Sequence, residues 1–458
     1  MLSTLLSALM VFSTIDSSAA ANEYPLYVGW ASADITPDKP VNLEGQMTKR
    51  ISLGILDPLT ATALSLETTQ ENGTKEQAIM ISCDLLWTRK EIQQRLQELV
   101  RPRIADFDVS KLFLNATHTH TGPGILDDAF YGLYDVSKDE GVMKASQYAD
   151  FLLERLANIA VQAWQNRKPA GVSWALGHSL VSFNRRAYYF DGRAAMYGNT
   201  NQENFSHIEG YEDHGQEMLF FWDADQKLTG IVINVACPAQ ETEGLLKVSA
   251  DFWHEVRQEI RAKYGKETFI FPQCGAAGDQ SPHLLWQKQA EDIMRQRKGL
   301  SRRQEIARRI AQAVDEVFPY TKKDTKSNVV FIHKVAGIHL PAREPPDLLV
   351  SAERRAVAGP FYTCDSVKPT EIHVIRLGDV ALATNPFELY VDYGIRMKAR
   401  SKALLTFIVQ LSCQHSGYLP TERAIRGGGY SADKYIVGPD GGQALANETV
   451  KLINDMWD

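Results

Sequence analysis

The chain has 458 residues, of which 44% are hydrophobic and 23% charged, a composition typical of a globular protein with a sizeable core. Its formal net charge of −7 argues against a nucleic-acid partner, because phosphate recognition needs a basic surface. The five cysteines are widely separated and lack the paired spacing of a zinc ribbon.

The amino-terminal segment has the pattern of a secretory signal. An apolar run from Leu2 to Phe12 is followed by small residues up to Ala21, although a positive charge near Met1 is missing. The run is shorter than the ~20 residues that a membrane-spanning helix needs, and no later segment is long enough either. We therefore predict a signal peptide over residues 1–21, no transmembrane segment, and a secreted, periplasmic or cell-surface protein with one domain over residues 22–458.

Strand-like and amphipathic helical segments alternate along the rest of the chain, which predicts an α/β fold. A capping box of Thr88 and Glu91 is expected to open the first helix, and one of Ser301 and Gln304 a later helix. The strands at residues 171–183 and 217–224 are expected at the edges of one sheet. In chain order, the predicted strands are 77–87, 111–120, 171–183, 217–224, 230–237, one beginning at 269, 371–386 and 406–413, and the predicted helices are 91–100, 147–166, 253–264, 302–317, 389–403 and 444–457.

The segment FLNATHTHTGPG, residues 113–124, carries two histidines at the end of a predicted strand. Alternation along a strand would place His118 and His120 on one face. Most such pairs are ordinary exposed or hydrogen-bonded residues. Because a Thr-Gly-Pro-Gly turn follows and binding residues concentrate on loops, the position favours a metal-binding or catalytic role.

Seven segments in order resemble those of the neutral, non-lysosomal ceramidases: YVGWASADITP, ATHTHTGPG, FNRRAYY, INVACP, GAAGDQSP, NPFE and LSCQHSGYLPTERAIRGGGY. The resemblance covers about residues 27–430. It implies the catalytic-domain fold of that family, a mixed β-sheet core flanked by helices. It also implies a secreted or surface zinc amidase that cleaves the N-acyl bond of ceramide. We expect no counterpart of the family's C-terminal β-sandwich domain.

The resemblance also implies roles for individual residues. Tyr430 would steady the tetrahedral intermediate, and His120 beside the zinc would transfer a proton. Ser281 matches the family's active-site serine, but a nucleophile, an oxyanion donor and a turn residue all remain open. Arg185 would face the site, and His118, Glu388 and Tyr418 would bind the zinc.

One expected ligand is replaced, because Cys237 stands where the family has a second zinc histidine. Cysteine is itself a zinc ligand, so a His118, Cys237, Glu388 and Tyr418 site is the leading hypothesis. A thiolate would make the zinc a weaker Lewis acid. Alternatively the metal is lost and Cys237 is a nucleophile or a buried core residue.

Three functions remain open from the sequence. The first is an exported zinc-dependent hydrolase that cleaves an amide or ester bond of a lipid or other small molecule with metal-activated water. The second keeps the fold but acts on a polar, carbohydrate-derived substrate held by guanidinium groups, for which Arg185 and Arg423 are candidates beside Arg186 and Arg426. The third is a metal-free binding protein. The sequence does not indicate an oligomeric state.

Overall fold

The computed structural model describes residues 22–127, 133–341, 369–437 and 440–458. The predicted signal peptide and Cys364 lie outside the described residues. In these ranges the helices are α1 (Lys90–Val100), α2 (Ala145–Gln165), α3 (Phe252–Tyr264), α4 (Lys288–Arg297), α5 (Arg302–Thr321), α6 (Val391–Arg400), α7 (Glu422–Gly427) and α8 (Gly441–Asn454).

The strands are short, and three larger sheets contain most of them. They are β1 (Tyr24–Pro25), β2 (Tyr27–Asp34), β3 (Thr60–Thr69), β4 (Lys75–Cys83), β5 (Leu112–Ala116), β6 (Lys168–Pro169), β7 (Gly171–His178), β8 (Phe183–Asn184), β9 (Arg186–Tyr189), β10 (Ala194–Met196), β11 (Phe205–Ile208), β12 (Gly215–Trp222), β13 (Leu228–Val235), β14 (Phe269–Cys274), β15 (Gln280–Ser281), β16 (Asn328–Val329), β17 (Phe331–Ile338), β18 (Thr370–Leu377), β19 (Val380–Thr384), β20 (Glu388–Leu389), β21 (Leu405–Val409) and β22 (Tyr418–Leu419).

The three larger sheets repeat one topology. Their orders are β5-β4-β3-β2-β6, β14-β13-β12-β7 and β17-β18-β19-β21. In each, three antiparallel strands are followed by a helix and then by a strand that pairs in parallel with the third. The helices of these crossovers are α1, α3 and α6, and parallel strands require such a crossover. The chain therefore contains three similar β-meander and βαβ units.

Helices cover the outer faces of the sheets, and the inner faces meet. The helix pairs α1 with α2, α3 with α5 and α6 with α8 each pack together beside one sheet. Between the sheets, all three units contribute to one apolar cluster, which includes Leu64, Phe113, Phe221, Phe271, Leu382 and Phe407. This burial holds the three parallel edge strands, β5, β14 and β21, next to one another.

Polar contacts fix the carboxyl ends of these three edge strands at one place. The Asn115 side chain donates a hydrogen bond to the Pro272 carbonyl at 3.2 Å. Asn115 also forms a β-bridge with Ser412, and the Gln410 amide donates to the Cys274 carbonyl at 3.0 Å. The loops that follow the three strands are thereby brought together, and binding residues commonly lie on such loops.

The predicted order of strands and helices is confirmed with local corrections. The box of Ser301 and Gln304 opens α5, but the Thr88 hydroxyl donates to the Leu411 carbonyl instead of capping α1. The sequence predicts both β7 and β12 at the edges of one sheet. Strand β7 is an edge strand, but β12 lies inside the sheet, between β7 and β13. In the described parts of the chain, no helix is both long and apolar enough to cross a bilayer.

Candidate active site

A cavity of about 260 Å³ opens where the three edge strands end. Side chains from the first and third units line it. The apolar part of its wall contains Met47, Leu86, Trp87 and Ile436, and the polar part contains His118, His120, Glu388, His415, Tyr418, Tyr430 and Arg89. His118 and His120 follow β5, His415 and Tyr418 follow β21, and Glu388 follows β19, the strand that pairs with β21.

His118 is held by an unusual backbone conformation and not by a strand. Strand β5 ends at Ala116, and His118 has a φ of 65°, in the left-handed region that few residues other than glycine adopt. The prediction that strand alternation pairs His118 with His120 is therefore wrong. The two rings nevertheless pack edge to face with their centroids 4.9 Å apart.

The hydrogen bonding of His118 fixes which ring nitrogen is free. Nδ1 lies 2.7 Å from the Leu86 carbonyl oxygen, which can only accept, so Nδ1 carries the proton. In the neutral ring Nε2 then presents its lone pair, and it lies 3.4 Å from Oε2 of Glu388. A histidine oriented through its other nitrogen in this way is typical of metal ligands.

Glu388 and Tyr418 are neighbours because a short parallel ladder places them side by side. Strands β20 and β22 pair with Glu388 opposite Tyr418, and the Glu388 amide donates to the Gly417 carbonyl at 2.9 Å. Burial by itself raises the pKa of Glu388, but His118 and His415 outweigh it and hold the pKa well below its ordinary value. Burial and the nearby Glu388 carboxylate raise the pKa of Tyr418, so its phenol is protonated.

His415 is the site residue that the sequence interpretation missed. Its Nε2 lies 3.4 Å from Oε1 of Glu388, on the other carboxylate oxygen from the one that faces His118. Its ring stacks on Trp87 with centroids 4.3 Å apart. His415 is a lone histidine in the segment QHSG, with no second ligand residue at a regular spacing in the sequence. It lies near His118 because β5 and β21 end side by side.

His120 occupies a buried position. Neither of its ring nitrogens makes a hydrogen bond to a residue that the structure describes, and Nδ1 lies 3.5 Å from Oε2 of Glu243. Burial, reinforced by His118, lowers the pKa of His120 well below its ordinary value, so the ring is neutral and able to accept a proton. Gly45 lies against this ring, and a methyl group there would come within 2.7 Å of it.

Tyr430 and Arg185 both contact Tyr418. The rings of Tyr418 and Tyr430 are edge to face with centroids 5.7 Å apart. Burial and Glu388 raise the pKa of Tyr430, which keeps its hydroxyl proton available for donation. The Arg185 guanidinium donates to the Gly278 carbonyl at 2.8 Å and to the Tyr418 hydroxyl at 3.3 Å.

The structure does not bring Cys237 into this group. Its thiol is fully buried and contacts the Val181 carbonyl oxygen at 3.2 Å. Within the described ranges, neither Cys237 nor the group of His118, Glu388 and His415 forms a set of three ligand atoms that all lie within 4.8 Å of one another. Burial, together with Cys274, raises the pKa of its thiol well above the ordinary value. These features are those of a core cysteine.

Ser281 and Arg423 also lie away from the cavity wall. The Ser281 hydroxyl is fully buried and forms hydrogen bonds with Tyr197 at 3.0 Å and with Gln240 at 2.8 Å, and the residue pairs with Phe183 of β8. The Arg423 guanidinium lies on α7 and faces Asp392 at 3.4 Å. Arg426 pairs with Glu422 on the surface of the same helix.

Arg186 is a buried structural residue. Its guanidinium pairs with Glu209 and donates to the carbonyls of Gly428 at 2.8 Å and Tyr430 at 3.0 Å. The predicted cluster of guanidinium groups around a substrate is therefore not present for Arg186, Arg423 or Arg426. Arg89, which no motif indicated, lines the cavity instead.

The fold is that of neutral ceramidases. A neutral ceramidase from Pseudomonas aeruginosa superposes with a TM-score of 0.72, covering 94% of this chain and 74% of that chain at 15% sequence identity. A ceramidase complexed with C2 gives a TM-score of 0.71, covering 95% and 75% at 15% identity. No family model and no curated protein matches the sequence. The predicted mixed α/β fold is thus confirmed.

The cavity contains residue types that bind zinc. The bare Nε2 of His118, the Glu388 carboxylate, the Tyr418 hydroxyl and the His415 imidazole are nitrogen and oxygen donors of the kinds that zinc binds. The Leu86 carbonyl orients His118 from behind, and the neutral His120 lies next to this group.

Proposed function

We propose that the protein is an exported, zinc-dependent hydrolase that cleaves an N-acyl amide or an ester bond of a lipid. The observation that carries this proposal is the Glu388 carboxylate, which lies 3.4 Å from His118 on one oxygen and 3.4 Å from His415 on the other, inside a cavity. His118, Glu388, His415 and Tyr418 would hold the ion, and His415 takes the place that the sequence interpretation gave to Cys237.

When bound, zinc supplies a Lewis acid for the acyl carbonyl and lowers the pKa of a coordinated water to about 7. The protein's own residues provide the remaining functions. Neutral His120 accepts a proton from the attacking water and returns it to the leaving group. The protonated Tyr430 hydroxyl donates a hydrogen bond to the developing oxyanion. Arg185 orients Tyr418 by donating a hydrogen bond to its hydroxyl.

An apolar surface beside the cavity favours a lipid substrate over a carbohydrate. The apolar rim consists of six exposed side chains, Met47, Leu53, Ile55, Leu56, Leu245 and Leu246. The Leu53 amide donates to the Leu246 carbonyl at 2.8 Å, and Arg50 joins this segment to the site by donating to the carbonyls of Leu245 and His120. Contiguous exposed apolar residues are typical of surfaces that bind partners or membranes.

The test combines metal content with hydrolysis. Zinc per chain is measured by elemental mass spectrometry for wild type, His118→Ala, His415→Ala and, as the matched control, Cys237→Ala. Each protein is also assayed with an N-acyl sphingoid base, a fatty-acyl ester and an N-acyl sugar. We expect the two histidine variants to contain one zinc fewer than wild type and to lose hydrolysis of the lipid substrates, whereas Cys237→Ala keeps both.

Two results would overturn the proposal. One is an equal zinc content in folded wild type and His118→Ala. The other is a failure to hydrolyse the lipid substrates. Hydrolysis of the N-acyl sugar alone would favour the carbohydrate alternative, and hydrolysis of none of the three substrates would favour a binding role. Loss of zinc in Cys237→Ala but not in His415→Ala would restore Cys237 as the ligand.

A further inference from the structure

A second group of metal-binding residue types lies outside the cavity, on the third unit. Glu371 and His373 are alternate residues of β18 and share one of its faces. Cys413 follows β21 in the left-handed conformation, with a φ of 62°, and its amide donates to the Leu114 carbonyl at 3.0 Å. One carboxylate oxygen, one imidazole nitrogen and the thiol sulfur of these residues all lie within 4.8 Å of one another.

A chain of hydrogen bonds fixes the tautomer of His373. Nδ1 of His333 lies 2.9 Å from the Gln77 carbonyl oxygen, which can only accept, so His333 is protonated at Nδ1. Its Nε2 is then an acceptor and lies 2.9 Å from Nδ1 of His373. His373 therefore donates from Nδ1, and its Nε2 carries a lone pair.

That lone pair is directed into the cluster, where the Cys413 thiol forms a hydrogen bond with the Glu371 carboxylate. Nε2 of His373 is buried without a hydrogen-bond partner among the described residues and lies 3.5 Å from Oε1 of Glu371. The lone pair, the carboxylate and the sulfur atom thus face one another, and these are groups that a metal ion can bind together.

We propose that Glu371, His373 and Cys413 form a second metal site, which binds zinc or a similar divalent transition-metal ion. Two nitrogen or oxygen ligands at about 2.1 Å from a tetrahedral ion are about 3.4 Å apart, close to the 3.5 Å between Glu371 and His373. Imidazole, carboxylate and thiolate are all zinc ligands. His333 orients His373 through the hydrogen bond to Nδ1, the ring nitrogen that would not bind the ion. The Glu371 side chain is half exposed, which leaves a route for the ion and space for a water as fourth ligand.

The proposed site has a structural role in the third unit. The ion would link β18 to Cys413, which lies in the loop after β21, two residues before His415. The ion would therefore fix the backbone that carries a cavity residue without itself lying in the cavity. This inference does not depend on the proposed hydrolase function.

Cobalt substitution distinguishes this site from the cavity, because only a thiolate ligand gives a sulfur-to-cobalt charge-transfer band. Metal-free protein with reduced thiols is titrated with Co²⁺ and followed in the near ultraviolet. We expect wild type to develop the band and to saturate it by two added equivalents, because the cavity site also takes up Co²⁺, with an amplitude of one thiolate-bound ion per chain. The band should be absent from Cys413→Ala and retained by Cys237→Ala, which removes another buried cysteine.

A second variant keeps the test decisive if Cys413→Ala does not fold. Glu371→Gln replaces a half-exposed carboxylate with an amide of nearly the same shape. We expect it to weaken Co²⁺ binding at least tenfold, because the loss of even a supporting contact lowers metal affinity by about tenfold or more. The proposal is overturned if reduced wild type gives no thiolate band, if folded Cys413→Ala retains the band, or if Glu371→Gln binds Co²⁺ as tightly as wild type.

Discussion

At the scale of single residues, Gly45 determines where His120 can lie. Its φ is 107°, and a Cβ atom would approach the His120 ring and backbone to between 2.7 and 2.9 Å. A contact this short forces one of the two segments to move. We expect Gly45→Ala to displace the His120 ring and lower the hydrolysis rate by about a hundredfold, the loss that a misplacement of 1 Å can cause.

Gly141→Ala is the matched control for this substitution. Gly141 also has a positive φ, 77°, but nothing lies within 4 Å of an added Cβ. Both variants therefore incur the backbone strain of about 1 kcal/mol, and only Gly45→Ala disturbs His120. Steady-state kinetics and thermal unfolding are measured on both. Equal activity of the two variants would show that the position of His120 does not matter for the reaction.

Glu44, next to Gly45, makes stability depend on pH. Burial raises its pKa from 4.5 to about 7, opposed in part by Arg89. Between these two pH values the folded protein holds a proton that the unfolded chain has released, so stability increases as the pH falls from about 7 to about 4.5. A pKa difference of this size corresponds to at most about 3 kcal/mol.

Glu44→Gln isolates this effect because the amide does not titrate. We expect the free energy of unfolding of wild type, relative to Glu44→Gln, to rise by up to about 3 kcal/mol between pH 8 and pH 5. Urea denaturation of both proteins at the two pH values measures the difference. If the two proteins change in parallel with pH, the Glu44 carboxyl is ionised in the folded state.

At the scale of elements, Arg186 anchors the segment that carries Tyr430. Its guanidinium joins β9 to the carbonyls of Gly428 and Tyr430, and its charge is balanced by buried Glu209. Removing one partner of a buried ion pair costs about 3–5 kcal/mol, because the other charge remains buried. We expect Arg186→Met to destabilise the protein by this amount.

A double-mutant cycle tests whether the pair accounts for that loss. Arg186→Met combined with Glu209→Leu leaves no buried charge, so we expect the double variant to be more stable than Arg186→Met alone. Chemical denaturation of the four proteins gives the coupling energy. A double variant whose loss equals the sum of the single losses would mean that Arg186 acts through its carbonyl contacts and not through Glu209.

The order of the elements was predictable from the sequence, but the ends of several elements were not. Apolar periodicity indicated strands and helices because each buries one face, and the Ser301 and Gln304 box is a local contact that sequence spacing specifies. Thr88 failed as a cap because a more distant partner, the Leu411 carbonyl, competes for its hydroxyl. The end of β5 was missed for the same kind of reason, since the left-handed turn at His118 depends on contacts with residues 83–86.

At the scale of the whole molecule, the apolar rim should act as a membrane-contact surface if the substrate is a lipid. Leu53 is 77% exposed, and inserting such a side chain into lipid gains about 2 kcal/mol. We therefore expect Leu53→Ser and Leu246→Ser each to weaken binding to phospholipid vesicles by roughly tenfold. Co-sedimentation with vesicles measures the partition.

Leu404→Ser provides the control for the rim. Leu404 is 74% exposed and precedes β21, whereas the cavity lies beyond the carboxyl end of that strand. We expect this variant to bind vesicles as wild type does. Equal losses in the three variants would mean that general hydrophobicity, and not the rim, controls binding.

The composition of the candidate site was only partly predictable, because three-dimensional convergence decides it. His118, His120, Glu388, Tyr418 and Tyr430 were recognised from motifs, and all five line the cavity. Cys237 was assigned by its alignment with a ligand position, yet its thiol faces the core. His415 enters through the contact between the first and third units, which no local pattern in the sequence specifies.

The bridge between Asn115 and Ser412 has consequences for how the chain folds during synthesis. Contacts between residues so distant in sequence require closure of a long loop, which slows folding and raises contact order. The segment with His118 and His120 leaves the ribosome long before Glu388 and His415 are made. Until then the edge of β5 is an unpaired strand end that is exposed to aggregation. An amino-terminal fragment that ends before Glu388 would contain both motif histidines and still lack the carboxylate that His118 faces.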